Sequence, residues 1–310
     1  MVVFPVPPFP LATAIFTGLF LVLPVLAHLS RVLLRPVLFV LAPLLFSGMA
    51  FELNAILSAL AAFVLFCLLA SAVYIGNDAL DREADRAHPT KRLRPIAAGR
   101  IGLREAALVG SVMLLLAVAG SFLVSPTLGA AACAYVVLNV LYTVRLKRIV
   151  IVDVFTIAAF FLLRLLAGAG AIGVSPSVWL LLCGGLLALY LGFTKRRHEL
   201  VLLGSDSVRS RSVLSHYSAV LLDQISVVLL SATVISYVMY TLESQTAAVF
   251  GSEALSYSTV FVLYGVFRYL YLVHQHDGGS PTETLLTDPP LLVNVGLWLL
   301  YCGWVIYKPV

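Results

Sequence analysis

Three aspartates at helical spacing are the residues in this chain most suited to chemistry. Asp78, Asp81 and Asp85 are spaced i, i+3 and i+7, which places them on one face of a helix with Asn77 beside them. Three like charges repel one another, and a divalent cation relieves that repulsion. Because the group offers oxygen ligands without His or Cys, it favours Mg²⁺ or a similar hard ion completed by substrate phosphates.

A basic loop follows the aspartates. Its cations are Lys91, Arg92 and Arg94, in a stretch bounded by proline and glycine. Cations beside carboxylates that bind a metal are what a polyphosphate requires. An acidic cluster alone is more often a solvated helix end, here paired with Arg82 and Arg86. The acidic and basic halves together predict a diphosphate site.

Further polar side chains occur at the ends of apolar runs or inside them. Tyr142 and Lys147 are either a phosphate contact or an interface anchor with a topology cation. Arg164 lies inside an apolar run and needs a lipid phosphate or a partner on another helix, because Asp153 is too far along the same helix. Arg268 is either a phosphate contact or part of an aromatic girdle.

Membrane-spanning helices are the elements that must position these residues. The 310 residues are 61% hydrophobic and 11% charged, against about 25% charged in soluble domains. This composition excludes a soluble globule, and it leaves no basic soluble domain for a nucleic-acid partner. The four cysteines are isolated in apolar runs and are expected to pack as small apolar residues.

Apolar runs about 20 residues long predict the spans. They lie at 10–29, 36–51, 55–80, 104–124, 127–144, 150–172, 177–194, 214–241, 256–273 and 290–306. The first two are either two spans or a membrane-surface segment followed by one span. The first lacks a basic start and a clear cleavage site, so we expect it to be retained rather than removed as a signal sequence.

The Lys and Arg residues fall in every second connection between these runs. The loops at 81–104, 145–148 and 195–211 are basic, whereas the connections at 125–126, 173–177 and 243–256 contain no Lys or Arg. Short cytoplasmic loops collect such residues. We therefore expect the basic loops, and the aspartates with them, to share one cytosolic face.

The aspartate segment 77–85, with the pattern N-D-x-x-D-x-x-x-D, and the loop ending R-P-x-x-x-G at 94–99 resemble the first aspartate motif of the UbiA superfamily of intramembrane prenyltransferases. This resemblance implies an all-α polytopic membrane protein, a bundle of about nine transmembrane helices around a central cavity. It extends from about residue 36 onward. We therefore expect an N-terminal apolar segment at 1–35 and a UbiA-like transmembrane catalytic domain at 36–310.

Two segments are similar to one branch of that superfamily, the decaprenyl-phosphate phosphoribosyltransferases. The loop at 88–99 reads H-P-T-K-R-L-R-P-I-A-A-G, unlike the R-T-x-x-R-P-L of aromatic prenyltransferases. At 195–200 the sequence K-R-R-H-E-L replaces a second aspartate pair. The chain departs from the branch after the Arg-Pro at 35–36, where the Trp and Lys-Asn of the branch are missing.

The resemblance implies Mg²⁺-dependent transfer of 5-phosphoribose from PRPP to a polyprenyl phosphate, with release of pyrophosphate. The implied catalytic residues are Asn77, Asp78, Asp81 and Asp85, of which the three aspartates are the implied metal ligands. The implied phosphate-binding residues are Lys91, Arg92, Arg94, Tyr142, Lys147, Arg164, Lys195, Arg196, Glu199 and Arg268.

Two other functions stay open at this point. One is an aromatic prenyltransferase that uses a prenyl diphosphate, and the other is an anion transporter. A transporter would place ionisable groups near the bilayer midplane, whereas most charges of this chain crowd one face. We expect the protein to lie in the plasma membrane with its active site facing the cytosol. The expected partners are PRPP and a polyprenyl phosphate, and a homo-oligomer is left open.

Overall fold

The computed structural model describes residues 37–87, 91–203, 212–243, 253–275 and 287–307, and these residues contain helices and no strand. The predicted apolar run at 10–29 and the proposed segment 1–35 lie outside the described residues. The basic loop at 195–211 and the loop before residue 287 are described only in part.

Ten α-helices run through the described residues. They are α1 (Ala42–Phe46), α2 (Leu53–Leu80), α3 (Arg82–Ala87), α4 (Leu103–Val124), α5 (Pro126–Val144), α6 (Val152–Ala171), α7 (Val178–Leu203), α8 (Ala219–Leu242), α9 (Thr259–Gln275) and α10 (Pro289–Tyr307). Short 3₁₀ turns lie at Leu38–Leu41, Lys91–Leu93, Leu146–Arg148, Ser212–His216 and Glu253–Ser258. Seven helices (α2, α4 to α8 and α10) are long and apolar enough to cross a bilayer, and α9 has 17 residues. The chain is thus a multi-pass membrane protein.

Eight of the predicted apolar runs correspond to the helices α2 and α4 to α10. The run at 36–51 does not form one span in its described part, because its helix ends at Phe46 and Gly48 follows with a φ of 77°. A glycine in the left-handed region is a common end to a helix. The expected number of about nine spans is therefore not confirmed in the described residues.

The connection between α4 and α5 shows how the sequence sets tight turns. Ser125 alone separates the two helices, and its hydroxyl accepts a hydrogen bond from the Leu128 N–H at 3.0 Å. Pro126 is the first residue of α5. Proline has no backbone N–H, but at this position the N–H would have no partner within the helix, so no hydrogen bond is lost. The Ser125 hydroxyl also donates to the Gly170 carbonyl at 2.8 Å, which ties this connection to α6.

Helix α6 packs against α2, α5, α7 and the first 3₁₀ turn. The approach to that turn is so close that a Cβ on Gly168 would lie 1.9 Å from the Val40 carbonyl oxygen. In lipid, helices associate through such close contacts of small residues rather than through burial of apolar area alone. A larger residue at 168 would force α6 away from the turn.

Ion pairs join different helices and their connections at one end of the bundle, which we call the charged end. Lys147 reaches Asp81, Arg196 reaches Asp153, Arg197 reaches Asp223, and Arg268 reaches Asp288. These contacts agree with the expectation that every second connection shares one face. They differ from it at 195–197, because these three residues lie in the last turns of α7 and not in a loop.

Candidate active site

Two aspartates from different helices meet at one arginine. Arg94 donates from Nη1 to Asp78 Oδ1 and to Asp85 Oδ2, each at 2.8 Å. The Asp85 side chain is 4% exposed, and the other two are partly exposed. Together with Asp81 and Lys147 these residues form what we call the open cluster. In it, carboxylates and cations lie side by side at a surface that a solute can reach.

The loop that carries Arg94 is held by its own hydrogen bonds. The Arg94 N–H donates to the Lys91 carbonyl at 2.9 Å, and the Ala98 N–H donates to the Arg94 carbonyl at 2.8 Å. Arg86 on α3 donates from Nε to the Ala97 carbonyl at 3.0 Å. The basic loop is therefore a folded cap over the end of α2, and Arg94 is presented from a fixed backbone.

The three aspartates do not lie on one continuous helix. Helix α2 ends at Leu80, Asp81 is its cap residue, and α3 begins at Arg82. The expectation of a single shared helical face is therefore corrected: Asp78 and Asp85 converge on Arg94. Asp81 instead lies 3.9 Å from Lys147 Nζ.

Helix α5 supplies polar contacts beside the aspartates. Thr143 donates from its hydroxyl to Asn77 Oδ1 at 2.9 Å, which fixes the orientation of that amide. The ring of Tyr142 packs edge-on against Phe160, with 5.9 Å between ring centroids. Lys147 follows in the 3₁₀ turn Leu146–Arg148. Lys147 thus belongs to the open cluster, and Tyr142 directly precedes Thr143, which contacts Asn77.

Arg164 finds its partner on another helix. It donates from Nη2 to the Tyr135 hydroxyl at 3.1 Å, and its guanidinium lies 5.2 Å from the centroid of that ring. Its Nη1 donates to the Phe160 carbonyl at 3.3 Å, whereas its buried Nε has no hydrogen-bond partner. The expectation of an inter-helix partner is met, and one buried nitrogen atom, Nε, has no hydrogen-bond partner.

A hard cation fits the open cluster through two carboxylates rather than three. Within the described part of the chain, no three His, Cys, Asp or Glu side chains are grouped closely enough to hold a metal by themselves. Asp78 and Asp85, however, each lie 2.8 Å from one cationic nitrogen, so their oxygens already face a common positive charge. Mg²⁺ usually binds through one or two carboxylates with phosphate oxygens completing its shell. The donor set is thus compatible with a metal carried on a polyphosphate.

A second group of charges, which we call the closed cluster, is sealed between α6 and α7. Arg196 donates from Nε to Asp153 Oδ2 at 3.0 Å and from Nη1 to Glu199 Oε2 at 3.0 Å. The side chains of Arg196 and Asp153 are 1% and 0% exposed. Asp153 Oδ1 is buried with no hydrogen-bond partner. Arg196 therefore contacts both Asp153 and Glu199, whereas the sequence suggests that Arg196 and Glu199 are two separate substrate contacts.

The other expected phosphate contacts are spread around the charged end. Lys91, Arg92 and Lys195 are exposed. Arg268 forms a two-point ion pair with Asp288, at 3.2 and 2.8 Å, and its guanidinium lies 5.3 Å from the Tyr271 ring centroid. The structure thus gives Arg268 both a carboxylate and an aromatic partner.

The sequence analysis missed a polar stripe on α5. Tyr135, Asn139, Tyr142 and Thr143 are spaced i, i+4, i+7 and i+8, so they share one face of an otherwise apolar helix. Two of them contact residues discussed above, since Tyr135 binds Arg164 and Thr143 binds Asn77. The helical spacing of these polar residues is the signal that could have identified the stripe.

Comparisons with known proteins give a consistent result. The UbiA prenyltransferase family matches residues 36–296. Decaprenyl-phosphate phosphoribosyltransferase of Corynebacterium glutamicum is 32% identical over 260 residues, covering 83% of this chain and 78% of that protein. The protein of that name from Mycobacterium tuberculosis is 30% identical over 257 residues, covering 83% of this chain and 84% of its own.

A solved structure shares the fold at lower identity. A UbiA homolog from Archaeoglobus fulgidus, solved bound to GPP and Mg²⁺, is 19% identical. The alignment covers 90% of this chain and 99% of that one, with a TM-score of 0.63. At this identity the similarity shows the arrangement of helices alone.

Proposed function

Because this chain belongs to the UbiA prenyltransferase family and is a transferase of that superfamily, we propose that it transfers 5-phosphoribose from PRPP to a polyprenyl phosphate. The names of relatives at 30 to 32% identity support this choice of substrates. The observation that carries the proposal is the convergence of Asp78 and Asp85 on Arg94 at the charged end. Carboxylates and cations at one point suit a diphosphate that arrives with a divalent ion.

The number of cations favours PRPP with a lipid phosphate over a prenyl diphosphate with a neutral acceptor. The first pair of substrates presents a diphosphate, a 5-phosphate and an acceptor phosphate, whereas the second presents one diphosphate. Around the open cluster the chain places Lys91, Arg92, Arg94 and Lys147, and Lys195 is exposed on α7. This supply of cations exceeds what a single diphosphate needs.

The open cluster would bind the departing diphosphate. Asp78 and Asp85 would hold Mg²⁺, with Asp81 as a third carboxylate beside them. When bound, the ion would neutralise the charge of the leaving group. Asn77, oriented by Thr143, would fix the aspartates or the ribose. Arg94 would then exchange its carboxylate partners for phosphate oxygens.

The transfer itself needs little acid–base chemistry. An oxygen of the lipid phosphate attacks C1 of the ribose while the bond from C1 to the diphosphate oxygen breaks. The bonding electrons leave with the diphosphate, and C1 passes through oxocarbenium character. Because the attacking oxygen is already an anion, positioning and charge stabilisation supply most of the catalysis.

The remaining candidates would bind the other phosphates or support residues that do. Lys147 belongs to the open cluster, Tyr142 directly precedes Thr143 on α5, and Arg164 offers its unpartnered Nε from inside the bundle. Arg196, Glu199 and Arg268 already bind carboxylates or each other. These three would therefore contact substrate only through a change of partner. The basic charged end would face the cytosol of a plasma membrane.

A two-reaction assay tests the substrates. Purified protein would be incubated with Mg²⁺, PRPP and polyprenyl phosphate, and separately with Mg²⁺, a prenyl diphosphate and an aromatic acceptor, and the lipids read by mass spectrometry. We expect a phosphoribosylated lipid phosphate in the first reaction and no prenylated aromatic product in the second. Products only in the second reaction would overturn the proposal in favour of aromatic prenylation.

A further inference from the structure

The connection from α5 to α6 contains a strained turn. Ile151 has φ 70° and ψ −47°, and the Val152 N–H donates to the Val150 carbonyl at 2.8 Å. This is a γ-turn of the rare hand, which is costly for a β-branched residue. Such strain persists only where surrounding structure enforces it.

Tyr217 is the side chain that holds this turn. Its hydroxyl accepts a hydrogen bond from the Ile151 N–H at 2.6 Å, across 66 residues of sequence. The ring is buried and packs edge-on against Phe193 of α7, with 6.4 Å between centroids. Tyr217 is thus anchored by α7 and constrains the backbone at the start of α6.

The hydroxyl of Tyr217 is held in its protonated form by its surroundings. Burial raises the pKa of Tyr217, the hydrogen bond with Ile151 opposes that shift, and the nearby Asp153 carboxylate raises it again. Asp153 follows the turn by two residues and belongs to the closed cluster. The tyrosine therefore touches the strained turn and lies beside the sealed ion pair.

The turn lies between a candidate phosphate contact and the closed cluster. Lys147, four residues before Ile151, contacts Asp81 at 3.9 Å. Asp153, on the other side, is fixed by Arg196 at 3.0 Å. The path of the short segment 147–153 is therefore set at Asp153 and at Ile151. Lys147 lies in the 3₁₀ turn Leu146–Arg148, and the Ile149 N–H donates to the Leu146 carbonyl at 3.1 Å, which links that turn to the strained one.

We infer that Tyr217 is a positioning residue that holds the Ile151 turn and thereby keeps Lys147 at the diphosphate site. Tyr217 does not touch substrate. It acts through the backbone of the α5–α6 connection, and the inference rests on the proposed phosphoribosyl transfer for its kinetic consequence. Its geometric consequence, the placement of Lys147 beside Asp81, does not depend on the substrate.

Steady-state kinetics give the first test. Tyr217→Phe keeps the ring packing but leaves the Ile151 N–H without its acceptor, and we expect KM for PRPP to rise about tenfold while kcat changes less. Adding Ile151→Gly should return KM to within about threefold of wild type, because glycine adopts positive φ without strain. Ile151 is 44% exposed, so that change removes little packing.

Tyr307→Phe is the matched control. The Tyr307 hydroxyl forms hydrogen bonds with the backbone of Leu45 and Ala50 at the opposite end of the bundle.

A substrate-free measurement gives the second test. The four native cysteines would be replaced by alanine, and Lys147 and Asp81 would each be replaced by cysteine. A short thiol cross-linker would then join the two new cysteines where they lie close together, and mass spectrometry would measure the cross-linked fraction. We expect Tyr217→Phe to slow cross-linking several-fold and Ile151→Gly to restore the rate. An unchanged rate would overturn the inference, as would a lower unfolding temperature with unchanged KM, which marks a merely structural tyrosine.

The two tests separate this inference from the proposed function. If the wild type does not transfer phosphoribose but cross-linking responds to Tyr217→Phe, the function is wrong and the positioning role stands. If the wild type transfers phosphoribose and Tyr217→Phe matches it in both tests, the function stands and the positioning role is wrong.

Discussion

The open and closed clusters contain the same kinds of charge at the same end of the bundle, but they differ in access to water. In the closed cluster, Asp153 and Arg196 are fully buried between α6 and α7. In the open cluster, Arg94 is 36% exposed and Lys147 is 32% exposed. A sealed ion pair resists the loss of either partner, whereas a partly exposed pair can exchange partners with a solute. From this difference in access to water we expect the closed cluster to stabilise the helices and the open cluster to bind phosphate.

The largest expected effect is on activity in the open cluster. Asp85→Asn keeps the size of the side chain but removes one of the two charges that face Arg94. We expect the rate of phosphoribosyl transfer to fall by about 10³-fold, equivalent to about 4 kcal/mol. The matched control is Glu83→Gln on the same helix, whose side chain is 79% exposed and should have near wild-type activity. Equal losses in the two variants would show that Asp85 has no special role.

The next effect is on stability in the closed cluster. Asp153→Asn leaves the Arg196 guanidinium buried without its carboxylate partner across the helices, and we expect the free energy of unfolding to fall by about 3–5 kcal/mol. Thermal unfolding in detergent measures this change. Asp223→Asn is the control, because its pair with Arg197 is partly exposed and is worth about 0–1 kcal/mol. A fall no larger than that of Asp223→Asn would mean that the buried pair contributes no more than a surface pair.

A smaller effect concerns ligand binding without turnover. Mg²⁺ and PRPP together, at about 100 times their dissociation constant, should stabilise the wild type by about 2.7 kcal/mol. Adding EDTA, which removes Mg²⁺, should abolish this stabilisation. The Asp78→Asn variant should not be stabilised by Mg²⁺ and PRPP. The unfolding temperature with and without each ligand measures the effect, and stabilisation of Asp78→Asn equal to that of the wild type would place the ligand elsewhere.

Local spacing made the aspartate cluster predictable, and long-range contacts made the closed cluster unpredictable. Asp78, Asp81 and Asp85 lie within eight residues, so their short separation in sequence keeps them together at the junction of α2 and α3. Arg196 could be read as a free cation because its partner Asp153 is 43 residues away on another helix. Only tertiary packing shows that the pair is sealed.

The lengths of the apolar runs predicted the helices, but they did not predict where the helices end. The run at 36–51 ends as a helix at Phe46, and α7 extends to Leu203, past the predicted end at 194. The length of an apolar run indicates which part of a helix is covered by lipid. It does not indicate whether the helix continues beyond the membrane into water. The bond between Ile151 and Tyr217 was equally hidden, because no local pattern links residues 66 positions apart.

Radiolabel transfer by the wild type and by Asp81→Ala tests the central claim most directly. With PRPP labelled in the ribose, polyprenyl phosphate and Mg²⁺, the wild type should move label into lipid, and Asp81→Ala should move none while staying folded in detergent. Transfer by Asp81→Ala at the wild-type rate would contradict the assignment of these aspartates to the diphosphate site.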